Sequence, residues 1–355
     1  MRRFPLIARS ALLGGALLSS GCTTVGYYAQ AIGGHLSLMR ARQPIAELLA
    51  DPATDATLRE QLQTLLLARE FAVDELLLPD TDSYRSYAAT GRSHVTWNVV
   101  ATEEFSLAPL TWCFPVAGCV NYRGYFDRAD AEAYAAGLAK LGRDVTLGGA
   151  SAYSTLGWFD DPVLDTMLSA NDIRYVGTLF HEMAHQKLYV QDDSDFNEAY
   201  ATFVEQDGVR RWLRSREQAS RIDGYVLALQ RGEAFAALLA DTRTELETLY
   251  GGELPAPAMR AAKRERFDGM RKRYEALKAS WDGYAGYDGW FAREPNNARL
   301  VSVATYRRNV PAFAALMREA GGELAGFHRL AEEIAALPGD ERAERMTALR
   351  AAGEP

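Results

Sequence analysis

The pentad His181-Glu182-Met183-Ala184-His185 constrains this 355-residue chain more than any other feature. Histidines four residues apart lie on one face of an α-helix, a turn from each other, so both imidazoles can reach one metal ion. Glu182 then projects beside them toward a metal-bound water. The pattern supplies the helix that this chemistry needs. Asn171 or Asp172 can cap a segment over 172–188, with Ile173, Val176, Leu179, Phe180 and Met183 at its apolar positions. The chain has only five histidines, so chance is a poor explanation of the spacing. An exposed polar helix face is the bland reading, and the apolar neighbours Phe180, Met183 and Ala184 argue against it.

A catalytic zinc takes three protein ligands and leaves a position for water, so a third ligand is required. The short polar turn Gln191-Asp192-Asp193-Ser194 leads into a second helix from about Asp195 to Arg216. Two helices joined this closely pack antiparallel and bring the start of the second against the histidines. Glu198 fits that geometry. Glu205, two turns along on roughly the same face, is the competitor, and reads otherwise as a solvated carboxylate or one that supports the ligands from behind.

The first residues bear on where the protein works. Arg2 and Arg3 open a basic start, and Leu6 to Leu18 form an apolar stretch too short for a membrane span. Ser19-Ser20-Gly21 then supplies small residues before Cys22. This export signal resembles the lipobox of bacterial lipoproteins, except that Ser19 stands where leucine is usual and Leu18 lies one place earlier. The resemblance implies lipidation of Cys22 as the mature N-terminus, and Thr23 in place of aspartate implies the outer membrane. Formal net charge is −8, and loss of residues 1–21 removes arginines and no acid, so nucleic acid is a poor partner. The other cysteines, Cys113 and Cys119, flank a Pro- and Gly-containing turn, and export favours a disulfide worth about 2 kcal/mol. A thiolate metal site there would be incomplete.

The remainder reads as a predominantly helical α+β chain. Pro44 suits a first helical position, and Leu58, Leu62, Leu65, Leu66 and Phe71 continue a helical period to about Leu78, before Pro79-Asp80. Ser93 to Ala101 reads as a strand, Asp130 as the cap of a helix to Leu141, and Val145-Thr146-Leu147 as a strand broken by Gly148-Gly149. Ala152 to Thr155 is a second extended piece. Long helices are expected at 225–249 and 258–280, followed by an aromatic, glycine-rich segment over Trp281 to Phe291. The organisation is a signal peptide (1–21), an N-terminal linker and helices (22–92), a catalytic core with the disulfide loop (93–216) and a helical C-terminal region (217–355).

His-Glu-Met-Ala-His followed by Asn197-Glu198-Ala199-Tyr200-Ala201 resembles the gluzincin metallopeptidases. More narrowly, the chain resembles a bacterial lipoprotein family described as putative aminopeptidases. That likeness runs through Gly26-Tyr27-Tyr28, Thr111 to Cys119, Tyr122 to Phe126, Tyr153 to Phe159, the metal motif and Asn296-Asn297-Ala298. It implies a zincin-like core with a small mixed or antiparallel sheet. It also implies zinc on His181, His185 and Glu198, Glu182 as general base, and a peptide substrate. Twelve residues, Gln186 to Asn197, separate His185 from Glu198, fewer than in the better-known gluzincin aminopeptidases. Their amine-gripping glutamate has no counterpart in Gly148 to Tyr153.

For the oxyanion, metallopeptidases use a Tyr or His donor opposite the metal. Tyr153 is the first candidate and Tyr306 the second, although each also suits a packing role. His94 and His328 lack spaced partners and read as structural or exposed. Asn296 and Asn297 suit peptide binding or a turn and cap. The expectation is therefore a zinc aminopeptidase tethered by lipid to the periplasmic face of the envelope. The alternatives are a non-catalytic metal-binding lipoprotein and a metallo-endopeptidase or cell-wall amidase.

Overall fold

A proline divides the N-terminal helical pattern. The computed structural model describes residues 26–114, 118–152, 154–155, 159–304 and 309–353, and opens with helix α1 over 26–40. Strand β1 (Arg42–Pro44), α2 (Ile45–Ala50) and α3 (Ala56–Asp74) follow. Asp51, the residue before Pro52, is extended at φ −77° and ψ 116°, which ends α2 and splits the expected continuous period. The Asp55 carboxylate restarts the helix by accepting the N–H groups of Thr57 (2.9 Å) and Leu58 (3.1 Å). Pro44 is the cap of α2, one place before the helical position expected for it.

The strands come next: β2 (Ser86–Ala88), β3 (Thr96–Thr102), β4 (Trp112–Phe114), β5 (Gly118–Val120) and β6 (Arg123–Tyr125). Helix α4 (Arg128–Lys140), β7 (Asp144–Ala150) and β8 (Val163–Leu164) complete this region. β3 is the centre of an antiparallel sheet ordered β6-β3-β7, whereas β2 joins β1 antiparallel and β8 parallel in a small mixed sheet. The disulfide Cys113–Cys119 closes the β4–β5 hairpin.

Two local expectations change. The cap of α4 is Asp127, whose carboxylate accepts the Asp130 N–H at 3.1 Å, leaving Asp130 in the first turn where its charge suits the helix dipole. Gly148 and Gly149 do not break the strand but continue it opposite Asn98 and Trp97. A Cβ on Gly149 would fall 2.2 Å from the imidazole of His94, which packs on Trp97, so the glycine makes room for a ring.

From Asp172 onward the chain is helical: α5 (Asp172–Lys187), α6 (Ser194–Ser215), α7 (Ile222–Tyr250) and α8 (Ala256–Ser280), then the single turn α9 (Asp288–Phe291). α10 (Asn297–Ala304), α11 (Val310–Glu319), α12 (Leu324–Ala335) and α13 (Gly339–Gly353) follow. The molecule is thus predominantly helical α+β. Among the described residues no helix is long and apolar enough to cross a membrane.

The main core joins α3, α5, α6 and α11 to α13 through Leu62, Phe180, Met183, Tyr200, Phe313 and Phe327. Each fully buried apolar side chain contributes about 1.5–3 kcal/mol. His328 belongs to this core. The Tyr200 hydroxyl donates to its Nδ1 at 2.8 Å and its Nε2 donates to the Leu76 carbonyl at 2.9 Å, a structural role. A second core, around Phe235, Met270, Tyr274 and Phe291, holds α7 and α8 against the aromatic segment. Asn297 ties it to the segment that follows β3: its buried amide donates to the carbonyls of Glu104 (3.0 Å) and Ser106 (3.1 Å), while Asn296 caps the N–H of Arg299 at 2.8 Å. Both asparagines are accordingly linking and capping residues.

Candidate metal centre

α5 and α6 form an antiparallel hairpin whose ends are fixed by short polar side chains. Asn171 accepts the Ile173 N–H (3.1 Å) and Asp193 accepts the Phe196 N–H (3.1 Å). The connection is clamped by Asn197, which is buried. Its amide accepts the Val190 N–H at 2.8 Å and donates to the Val190 carbonyl at 2.7 Å. This explains the asparagine before Glu198: it sets the turn that presents the carboxylate. Farther along, Gly208 lets the helices approach, since a Cβ there would lie 2.9 Å from Phe180 and 2.7 Å from Leu76.

The result is a converging triad. His181 Nε2 and His185 Nε2 face each other at 3.2 Å. The Glu198 carboxylate reaches His181 Nε2 at 3.3 Å and His185 Nε2 at 3.7 Å. One donor atom from each of the three residues lies within 4.8 Å of the others. Glu205 is elsewhere: its carboxylate meets His181 Nδ1, the opposite ring nitrogen, at 3.2 Å. Ligation by Nε2 therefore leaves Nδ1–H to donate to Glu205, which fixes the tautomer and ring orientation.

The electrostatics describe a pocket that holds positive charge. Burial pulls the His181 imidazole down, but its hydrogen bonds to Glu198 and Glu205 and the charges of Glu205 and Glu182 push it up to about 10. Burial and the charge on His181 lower His185 to about 4. Glu198 is pulled upward by burial, yet the hydrogen bond to His181 and the charges of both histidines leave it lowered. A proton on His181 thus occupies the place of a cation, and two imidazole nitrogens with one carboxylate suit zinc in both ligand type and number.

Glu182 stands beside this triad on α5. Burial raises its carboxyl to about 7 against the opposing charge of His181, with Glu198 and Asp161 adding to the rise. Asp161 is itself fully buried, its carboxylate accepting the Thr155 N–H (2.8 Å) and hydroxyl (2.9 Å). Tyr84, buried with φ 62°, donates its N–H to the Asp161 carbonyl at 2.7 Å, and its phenol is raised by burial and then by the charge of Glu182.

Tyr189, which packs on His185, is missed by the sequence reading. Burial pushes the Tyr122 phenol up to about 12, with Glu198, Tyr189 and Glu182 among the further causes. Tyr189 packs edge-on to His185 with ring centroids 6.4 Å apart. Tyr153, Tyr306 and Cys22 lie outside the described residues.

The family described as "Putative aminopeptidase" matches the chain over residues 26–346. No curated protein and no solved structure matches it.

Proposed function

The chain belongs to the putative aminopeptidase family, and from that premise we propose that it is a zinc-dependent peptidase that prefers substrates with a free N-terminus. In this reading α5, α6 and the β6-β3-β7 sheet form a zincin-like core. A lipid on Cys22 tethers it to the bacterial envelope, at the periplasmic face of the outer membrane. The observation that carries the reading is the convergence of His181, His185 and Glu198 within 4.8 Å, with Glu182 on the same helix. His181, His185 and Glu198 would hold the metal. When bound, zinc supplies Lewis-acid polarisation of a carbonyl and acidification of water.

The remaining chemistry belongs to the side chains. Glu182 accepts a proton from the attacking water and passes it to the leaving amine. Its place beside the triad, on the helix that carries both histidines, suits a group that must both take and return a proton. Glu205 holds His181 by Nδ1 and fixes the direction of its other nitrogen. The acidic surroundings of Glu182, Glu198 and Asp161 favour a substrate bearing an ammonium group over one bearing a carboxylate.

The test compares wild type with Glu182→Gln on a free-amine peptide and on its N-acetylated twin. The wild-type protein should bind zinc and cleave the free-amine peptide, and chelation should stop it. Glu182→Gln should keep the metal and lose activity by orders of magnitude. Equal cleavage of both peptides would reject the aminopeptidase assignment in favour of an endopeptidase. A zinc-loaded wild type that cleaves neither these nor a broad peptide library would favour a non-catalytic metal-binding protein.

A further inference from the structure

Helix α1 turns an apolar face outward. Tyr28, Ile32 and Leu36 recur every four residues, which puts them on one side of the helix, and they are 36%, 58% and 42% exposed. Glycine, alanine and serine occupy the other exposed positions, and the one charge among them is Arg40 at the far end. No acid occurs anywhere in 26–40. Phe159, 54% exposed, borders the same surface recess as Leu36 and extends the patch. The opposite side of α1 is fixed to the body. Leu38 is buried with Ala88, Val95 and Leu164, and Gln30 accepts the Phe126 N–H at 3.0 Å. A Cβ on Gly34 would fall 2.1 Å from the Phe126 ring, so the helix lies close against that residue. The outward face therefore has no share in the core, and an exposed apolar patch of this kind marks an interaction surface. The chain before it says what covers it. Tyr28 is six residues after Cys22, and six residues reach at most about 22 Å when fully extended. A lipid on Cys22 thus holds the start of α1 at the bilayer surface. The helix itself, about 22 Å long, is too short to cross a bilayer and long enough to lie along one.

We propose that the outer face of α1 is a membrane-docking surface: Tyr28, Ile32, Leu36 and Phe159 enter the headgroup region of the envelope bilayer, and Arg40 meets lipid phosphate. The inference rests on the lipid anchor at Cys22, and it adds an orientation that a tether alone does not give. A helix lying in the interface gains from the apolar area it buries at the acyl boundary and from the attraction of its cations to anionic lipid. Tyrosine suits that depth, since its ring is apolar and its hydroxyl stays wet. The long stem of Arg40 lets its guanidinium remain among the phosphates, where it can bind two oxygens at once. Contact through so few side chains is weak by itself, so it orients a chain that the lipid already holds and does not replace the anchor. Because α1 packs on Phe126, the residue after β6, docking sets how the β6-β3-β7 sheet stands over the bilayer.

With Cys22 lipidated and Cys113 paired to Cys119, Ile32→Cys supplies a single free thiol for a nitroxide label. In proteoliposomes of phosphatidylethanolamine and phosphatidylglycerol, dissolved oxygen should reach this label and a water-soluble nickel complex should be excluded from it. The same label on Leu254→Cys, an exposed position in the connection between α7 and α8, should stay open to nickel. A second arm removes the lipid. The full chain with Cys22→Ala should bind phosphatidylglycerol vesicles at millimolar lipid, too weakly to survive fractionation, and adding Ile32→Glu/Leu36→Glu should lower that binding by about tenfold or more. Both positions lie outside the core, so the melting temperature should not change. Equal access of nickel to both labels in a chain whose Cys22 is lipidated would overturn the docking face and leave the anchor standing. Vesicle binding unaffected by the two glutamates would overturn it as well. A dimer that forms without vesicles and dissociates in Ile32→Glu/Leu36→Glu would assign the face to a second copy of the chain, against the bilayer. An unmodified Cys22 in wild type would instead reject the anchor, and this proposal with it.

Discussion

Glu205 and Glu198 grip opposite nitrogens of the same imidazole: the Glu205 carboxylate meets His181 Nδ1 at 3.2 Å, and the Glu198 carboxylate meets Nε2 at 3.3 Å. The two acids therefore have different consequences when removed. Glu205→Ala should weaken zinc binding by about 10- to 100-fold, because His181 loses its orientation but the ligand set survives. Glu198→Ala should abolish stoichiometric zinc. Metal analysis after dialysis against a graded series of chelator concentrations distinguishes these outcomes, and the reverse order would exchange the two roles.

The metal-free protein should lose stability on the alkaline side. His181 is drawn down by burial and raised more strongly by Glu198 and Glu205 to about 10, above the value of about 6.5 expected in an unfolded chain. The folded state then binds this proton more tightly. Its contribution is complete below about pH 6.5 and declines as the pH rises through about 10. Melting temperatures of chelated protein should fall across that window. Zinc should flatten the fall by supplying the positive charge itself, and His181→Gln should remove this component.

His328 should matter for stability and not for metal. It is buried between the Tyr200 hydroxyl (2.8 Å) and the Leu76 carbonyl (2.9 Å). His328→Ala strands both groups and opens a cavity, a loss of about 3 kcal/mol. Urea denaturation should show that loss with zinc stoichiometry unchanged. A neutral substitution would mean that water or a neighbouring group replaces both bonds.

Mass spectrometry of envelope-extracted protein should find Cys22 lipidated at the mature N-terminus. Cys22→Ala should move the protein from the membrane fraction to the soluble fraction. An unmodified Cys22 in wild type would remove the basis for a lipid anchor.

How much was legible in the sequence follows from the range of the interactions involved. Helix α5, its Asn171 cap and the alignment of His181 with His185 are settled by hydrogen bonds and side-chain spacings within a few residues, so the chain alone determined them. The same holds for the presence of α6 and the pairing of two cysteines six positions apart. The different stations of Glu198 and Glu205 could not be read in this way. Both lie on one side of α6, and only the packing of α5 against α6 decides which imidazole nitrogen each carboxylate meets. Gly148 and Gly149 carry turn-like propensities, yet β3 supplies the pairing and His94 fills the space that a side chain would occupy. The Cys119 N–H meets the Asp192 carboxylate across a large sequence separation, a contact that no local pattern announces. Local sequence determined which helices form and what their faces carry, and tertiary packing decided which groups meet, because contacts between distant segments have no period along the chain.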